Sequence, residues 1–571
     1  MKRIFYLLFF CPLFSVAQSS NATLNDDYYH WITRYEIKAG RIAPEIFTSI
    51  RPYRRGDVVS FIDSLNKRDG VFSSEADKFN YEYLRNDNWE FSRAETNTSQ
   101  KPFLKKLYTK KSDLLYVDQP DFDIHVSPVL YFGYGKDNQV HDPISINTRG
   151  VEIRGRVDKK IAFYTFLTDN QAVLPAYVRD EVNRTHVVPH EGFWKTFKTN
   201  GVDFFQARAY LDFNISKHIN FQFGNDRTFI GNGFRSLILS DYSTPNLFLR
   251  ANVKVWKLNY LFQLNRLTAD QPFNYSLAGK DTIVTGSQAN VRYPQKFMAF
   301  HHISLNIGKK LNLGIFESII FAPNDTLNKS QFELGYLNPV IFLRATEQQF
   351  GITDNAVVGM DFKWNAMKKV SFYGQLVIDE FVLKELQAGK GWWANKFGVQ
   401  GGVKYIDAFN VSNLDIQLEG NIVRPYTYSH DTQYSNYSNY RQALAHPLGA
   451  NFMEGVAIVR YQPIPKLNLT AKMFYAKIGR DTTGVNWGSD ILKNNSKRPA
   501  GHDYGNTVGQ GVSNNIAFVD LRASFMLRHN FFVELTQTIR QSSSPLALYN
   551  YNSSITSFGI RWNIPLRSYD F

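Results

Sequence analysis

The sequence predicts an all-β transmembrane protein: an antiparallel, up-and-down outer-membrane β-barrel of about eighteen strands with a small N-terminal α-helical plug. Three observations lead to this fold class, namely an export signal, strand-like alternation of apolar and polar residues, and a regular succession of short and long connections. Aromatic residues make up 15% of the chain, with 46 Phe and 32 Tyr, while the mean hydropathy is slightly negative. Both values suit strands that are apolar on one face only.

The first seventeen residues have the features of a secretory signal peptide. Lys2 and Arg3 give a basic start, residues 4–14 are apolar, and a small-x-small ending precedes Gln18. The only cysteine, Cys11, lies in this segment, and a lipoprotein anchor is disfavoured there because bulky residues precede it. An exported chain without further cysteine has no disulfide, no thiolate metal site and no cysteine nucleophile.

Residues 18–118 are predicted to form two or three short helices. Apolar residues between Val58 and Leu65 recur at helical spacing after Asp57, which is a capping residue type. Ser74 and Asp77 have the spacing of a capping box. These helices precede the first predicted strand, so we expect them to plug the barrel from the periplasmic side.

The barrel itself is predicted to span residues 119–571, where the apolar period changes to two. Segments such as 203–213, 414–422 and 517–527 alternate an apolar with a polar side chain, as strands with one apolar face do. The predicted strands lie at 122–134, 147–158, 160–169, 202–214, 217–226, 249–256, 258–267, 298–308, 311–320, 356–366, 369–379, 398–406, 413–422, 452–461, 466–476, 516–527, 530–540 and 554–566.

The connections between these strands alternate strictly in length. Short turns such as 158–159 and 528–529 are followed by long loops such as 268–297, 321–355 and 477–515. Short turns at one end and long loops at the other describe a transmembrane barrel, and an even strand count places both termini at the short-turn end. We therefore expect extracellular long loops, periplasmic termini and an outer-membrane location.

The last predicted strand ends near a terminal aromatic residue, Phe571. An amphipathic final strand with such an ending is the type of signal that barrel-assembly machinery reads. Backbone groups in lipid all need partners, so this strand is expected to close on the first one.

The charge pattern predicts lipid and glycan partners rather than nucleic acid. The net charge is +14, but export argues against nucleic acid, so outer-membrane lipid, lipopolysaccharide or an acidic surface glycan is the natural counter-ion source. The polar strand faces carry both signs, as at Glu152, Arg154 and Glu419. Mixed charges pair and fill a lumen, which favours a plugged or narrow barrel over an open porin.

Two aromatic-rich loops contain the candidate binding residues. One loop carries Trp392 and Trp393, and the second, residues 426–441, interleaves tyrosines with Ser, Asn and Thr. Such side chains stack on sugar rings and bond hydroxyl groups, although aromatic girdles and loop packing use the same residue types. The predicted carbohydrate-binding residues are Trp392, Trp393, Tyr426, Tyr428, Tyr434, Tyr437, Tyr440 and Arg441.

Catalytic, metal and cofactor motifs are absent from the sequence. It has no G-x-S-x-G, no H-E-x-x-H and no phosphate-binding loop, so we expect no enzyme activity, no cofactor and no metal site. The main alternative is an outer-membrane diffusion channel or transporter. A TonB-dependent transporter needs a larger plug than residues 18–118, and a barrel hydrolase needs a rim catalytic set that the sequence neither shows nor excludes.

Several stretches resemble the Wzi/RemB group of outer-membrane proteins. They are GNDRTFIGNG (224–233), LNPV (337–340), DEF (379–381), GWWANK (391–396), RPYTY (424–428), HPLGAN (446–451) and RPYRR (51–55). The resemblance covers most of the chain and implies an eighteen-stranded barrel, an N-terminal helical seal and extracellular loops that bind polysaccharide. Wzi members attach capsule to the cell surface, and RemB members are associated with gliding motility and adhesion. The chain looks closer to the RemB branch, which adds motility-apparatus proteins to the expected partners.

Overall fold

In the computed structural model, the alternating segments form the wall of a closed antiparallel β-barrel. Within the described part of the chain, eighteen strands pair in chain order and the last pairs with the first. The structure describes residues 18–67, 70–270, 293–322, 334–338, 341 and 354–571. The predicted signal peptide, residues 1–17, and parts of the predicted loops 268–297 and 321–355 lie outside these ranges.

The predicted fold class is confirmed, with strand ends that shift by a few residues. The wall consists of β1 (Phe122–Asp137), β2 (Ile144–Val157), β3 (Ile161–Val173), β4 (Gly201–Asn214), β5 (Ile219–Asp226), β6 (Asn246–Val255), β7 (Leu258–Thr268), β8 (Gln295–Ile307), β9 (Leu311–Phe321), β10 (Asn355–Met367), β11 (Val370–Glu380), β12 (Lys396–Tyr405), β13 (Leu414–Val423), β14 (Phe452–Ile464), β15 (Leu467–Arg480), β16 (Val512–Arg528), β17 (Phe531–Ser543) and β18 (Tyr551–Trp562).

Strand β4 shows how the sequence pattern becomes a wall with two different faces. Phe205 and Leu211 point outward and are exposed, whereas Arg208 and Asp212 are buried inside the barrel. Successive side chains on a strand point to opposite sides, so an apolar outer face and a polar inner face follow directly from the alternation.

The described residues of the N-terminal segment form four α-helices: α1 (Asp26–Lys38), α2 (Arg55–Asn66), α3 (Glu75–Asp87) and α4 (Trp89–Ser92). The predicted capping box is present, because Ser74 and Asp77 each bond the other's backbone. Helix α1 lies within residues 18–118, where two or three helices were predicted, but its position was not; it begins after Asn25, whose side chain accepts hydrogen bonds from the first turn. Among the described residues, none of the helices has the length and apolar character needed to cross a membrane.

This helical segment fills the barrel at the end where the strand connections are short. Its backbone reaches two of the short turns, with Gln18 N donating to Lys159 O at 3.2 Å and Ile42 N donating to Lys309 O at 2.7 Å. The helices therefore sit where the order of the elements along the chain predicts.

Buried ion pairs join the helices to the inner face of the wall. The guanidinium of Arg34 contacts Asp77 at 3.2 Å and also contacts Asp407 and Asp415 of the β12–β13 region. Lys363 of β10 lies 2.5 Å from Glu36. Many of the mixed charges on the wall thus pair with the helices, rather than only with one another across the lumen.

The last strand is shorter than predicted, and the chain after it enters the barrel. The last strand was predicted to reach residue 566, but it ends at Trp562. Asn563 adopts a left-handed backbone, with φ 51°, and this turns the chain into the lumen. Phe571 consequently lies inside the barrel, with its ring 5.8 Å from that of Tyr177 and 6.2 Å from that of Tyr242.

Candidate functional site

Two of the predicted binding residues, Trp392 and Trp393, lie where two long loops meet. Backbone hydrogen bonds join loop 381–395 to loop 481–511, from Gly505 N to Lys390 O at 2.8 Å and from Asn506 N to Gly391 O at 3.0 Å. These contacts fix the backbone on either side of the two predicted tryptophans.

Trp392, Trp393, Tyr504 and Arg498 form a partly exposed group that we call the rim cluster. The Trp392 ring lies 5.0 Å from that of Tyr504 and 6.2 Å from that of Trp393. Arg498 lies over the Trp393 ring at 4.1 Å and pairs with Asp503 at 2.7 Å. Tyr504 is 46% exposed, and both tryptophans are half-buried.

The rim cluster is supported from below by polar and aromatic contacts. Arg424 donates to the carbonyl oxygens of Asn395 at 2.7 Å and Trp392 at 3.3 Å. The ring of Tyr426 meets that of Trp393 edge-on at 6.0 Å. An aromatic surface held in this way, with a guanidinium and a carboxylate beside it, can stack on a sugar ring and bond its hydroxyl groups.

Three of the predicted tyrosines are fully buried within the loops. The hydroxyls of Tyr426, Tyr428 and Tyr437 donate to backbone carbonyl oxygens of Asn486, Leu237 and Ile238 at 3.1, 2.6 and 2.8 Å. Burial raises the pKa of Tyr426 to about 12. The rings of Tyr428 and Tyr437 stack 5.6 Å apart. These three side chains build the loop structure that carries the rim cluster.

The remaining predicted residues belong to other parts of the loop end. Tyr434 and Arg441 are half-buried, and Tyr440 meets the ring of Phe193 edge-on at 5.1 Å. Phe193 in turn stacks on Tyr293 at 4.8 Å. The eight predicted residues therefore do not form one constellation: Trp392 and Trp393 share the rim cluster, with Tyr426 beneath them.

Tyr504 and Arg498 were missed by the sequence analysis. They stand in loop 481–511, where nothing local links them to Trp392. Their contacts with Trp392 and Trp393 arise only because backbone hydrogen bonds bring the two loops together.

A second feature of interest is a cavity of about 170 Å³ inside the barrel. It lies between the N-terminal segment, the loops after β3 and β5, and residues 564–570. Its arginines are Arg51, Arg208, Arg227, Arg235 and Arg567, and its carboxylates are Asp26, Glu191, Asp241 and Asp570.

Several charges around this cavity neutralise one another. Glu191 lies 3.0 Å from Arg567 and 3.8 Å from Arg227. Burial acts to raise the pKa of Glu191, but these two arginines outweigh it and hold the pKa below its ordinary value. Asp570 pairs with Lys472 at 2.8 Å. These groups neutralise one another inside the barrel, whereas the residues of the rim cluster are partly exposed to solvent.

Comparison with solved structures finds the same architecture. The chain is similar to Wzi, an outer-membrane protein involved in group 1 capsule assembly in Escherichia coli and described as a carbohydrate-binding β-barrel. The TM-score is 0.55 and the identity 12%, over 96% of this chain and 100% of Wzi. The chain thus has a Wzi-like outer-membrane barrel fold.

Two Pseudomonas aeruginosa barrels match less well. For OccK7 the TM-score is 0.41 at 9% identity, over 78% of this chain and 99% of that one. For OprD the TM-score is 0.41 at 10% identity, over 77% and 92%. By sequence, no family model and no curated protein matches the chain.

Proposed function

We propose that this protein is a non-enzymatic outer-membrane barrel that binds or handles surface polysaccharide through its long loops. The observation that carries the proposal is the rim cluster, in which the partly exposed rings of Trp392, Trp393 and Tyr504 lie beside the Arg498–Asp503 pair. Sugar rings bind to such surfaces because their C–H faces stack on aromatic rings while their hydroxyls need polar partners.

The biological setting belongs to the same proposal. The long loops face the cell exterior, both termini face the periplasm, and residues 1–17 are removed after export. One proposed role is capsule attachment, which agrees with the carbohydrate-binding description of Wzi. The other is gliding-type motility or adhesion through bound polysaccharide, as the resemblance to RemB implies. Lipopolysaccharide, barrel-assembly machinery and motility-apparatus proteins are the further partners that we propose.

The proposal is tested by binding of the cell's own surface polysaccharide to detergent-purified protein. Replacing both rim tryptophans, Trp392→Ala with Trp393→Ala, is expected to weaken saturable binding at least tenfold. Each ring that stacks on a sugar contributes about 1 kcal/mol to the binding free energy. Trp256→Ala is the matched control, since this tryptophan is 79% exposed in a short turn at the opposite end.

The results distinguish a wrong location of the binding site from a wrong function. Binding that survives the double substitution keeps the polysaccharide function and moves the site away from the rim cluster. Absence of binding at every salt concentration contradicts the proposal and favours the diffusion channel, for which bilayer conductance is the direct measurement.

A further inference from the structure

A basic hairpin, defined as residues 98–111, projects between α4 and a short strand, Leu115–Asp118. Ser99 N donates to Thr109 O at 3.0 Å, and Leu107 N donates to Phe103 O at 2.8 Å. The turn residues Leu104 and Lys105 have φ of 48° and 63°, a left-handed conformation that is unfavourable for a residue with a Cβ. The fold nevertheless keeps an apolar tip there, with Phe103 55% and Leu104 72% exposed.

The short strand that follows the hairpin belongs to the barrel wall. The strand Leu115–Asp118 pairs with the first residues of β1, and β18 pairs with the later ones. The short strand therefore continues the wall beside the end of β18. Its residues Leu115 and Val117 are 47% and 42% exposed, as outward-facing residues of a transmembrane wall are.

An aromatic stack fixes the position of the hairpin at the membrane boundary. Tyr108 stacks on Trp562 with centroids 5.2 Å apart and planes 14° apart. Trp562 faces outward, since its neighbour Arg561 is buried in the lumen, and it also meets Phe531 edge-on at 5.1 Å. Outward aromatic residues at the end of a barrel strand form the girdle at headgroup level, so Tyr108 lies at that level too.

The charge of the hairpin has one sign. Its charged residues are Lys101, Lys105, Lys106, Lys110 and Lys111, and it has no acidic residue. The first three and Lys111 are exposed, while Lys110 lies over the Trp89 ring at 4.9 Å. An exposed apolar tip flanked by lysines complements a bilayer surface that carries anionic headgroups.

We propose that the basic hairpin docks on the phospholipid leaflet at the short-turn end of the barrel. Phe103 and Leu104 enter the boundary between headgroups and acyl chains, and Lys101, Lys105 and Lys106 bind the phosphates of anionic phospholipids. The contact anchors the N-terminal segment beside the seam between β18 and β1. This inference is independent of polysaccharide binding.

A single probe at the tip tests the docking. Cys11 is the only cysteine and lies within residues 1–17, which are proposed to be removed after export, so the exported protein offers no competing thiol. Leu104→Cys is labelled with a nitrobenzoxadiazole fluorophore, and Lys78→Cys on α3 is labelled in parallel. Both proteins are placed in phosphatidylcholine nanodiscs containing phosphatidylglycerol. We expect blue-shifted emission at position 104 and water-like emission at position 78.

Spin-labelled lipids test the charge selectivity. Quenching at position 104 is expected to be stronger with spin-labelled phosphatidylglycerol than with spin-labelled phosphatidylcholine. Replacing Lys101, Lys105 and Lys106 with Gln should reduce this preference by about fivefold per lysine. The control Lys67→Gln with Lys78→Gln, on exposed parts of the helical segment, should leave it unchanged.

Two results would overturn the proposal. Equal emission at positions 104 and 78 places the tip in water. Equal quenching by the two lipids, in a tip that is inserted, removes the role assigned to the lysines.

Discussion

At the scale of single residues, His30 links the contact between α1 and the wall to pH. Its Nε2 lies 2.8 Å from Asp415 Oδ2. Burial, followed by the positive charge of Arg460, lowers the pKa of His30 to about 4. The folded protein therefore holds this imidazole neutral at pH values where an unfolded chain protonates it.

Stability should fall as the pH is lowered from about 6.5 towards 4. In that window the unfolded chain binds a proton at His30 that the folded protein does not, so the free energy of unfolding falls by up to about 3 kcal/mol. Thermal unfolding in detergent at pH 7 and at the acid end of the window measures this loss. His30→Gln should reduce it, whereas the exposed short-turn substitution His218→Gln should not. The same pH dependence in both variants would contradict the assignment to His30.

At the scale of elements, the rim cluster depends on the close approach of loops 381–395 and 481–511. Gly391 has φ 68°, and a Cβ there would lie 2.8 Å from Asn506 N and 2.9 Å from Asn506 O. Gly389 has φ 65°, but no heavy atom lies within 4 Å of a Cβ built at that position. The two glycines share backbone strain and differ in the contact between the loops.

We expect Gly391→Ala to weaken polysaccharide binding by about tenfold or more, because the loops must separate and the Trp392–Tyr504 contact opens. Gly389→Ala carries the same left-handed penalty without the clash and should bind nearly as well as the unmodified protein. Titration of both variants with the same polysaccharide measures the difference. Equal binding by the two would show that the loop contact does not support the site.

The strands were predictable from the sequence and the loop contacts were not. Alternation of residues such as Phe205 and Arg208 is a local property, because lipid and lumen impose a period of two on every strand. The neighbours of Trp392 depend on how two distant loops pack. Residue type alone also could not show that Tyr428 is fully buried whereas Trp392 is partly exposed. Aromatic side chains are used both for packing inside a protein and for stacking on sugar rings.

At the scale of the whole molecule, the N-terminal segment is attached to separate parts of the barrel circumference. Arg34 contacts Asp415 on β13, Lys363 of β10 contacts Glu36, and Arg154 of β2 contacts Glu90. Ion pairs on several sides oppose dissociation of this segment from the barrel, because each buried pair that breaks leaves a charge without its partner. The structure thus favours a filled lumen at the short-turn end, which the mixed charges of the wall had predicted.

The conductance of the purified protein in a planar bilayer follows from this attachment. We expect the unmodified protein to show no steady conductance, because α1 and α3 occupy the lumen at the short-turn end. Arg34→Met should produce openings, since it leaves Asp77 and Asp407 with Lys38 as their close cation and leaves Asp415 with only the imidazole of His30. Removing one partner of a buried pair costs about 3–5 kcal/mol, which weakens the helical segment more than the wall.

Arg93→Met is the matched control for the conductance measurement. Its pair with Asp118 is also short, at 2.6 Å, but the Arg93 side chain is 52% exposed, and exposed pairs contribute about 1 kcal/mol or less. This variant should therefore stay silent like the unmodified protein. Steady conductance from the unmodified protein would contradict a filled lumen and support the diffusion channel, even if the long loops also bind polysaccharide.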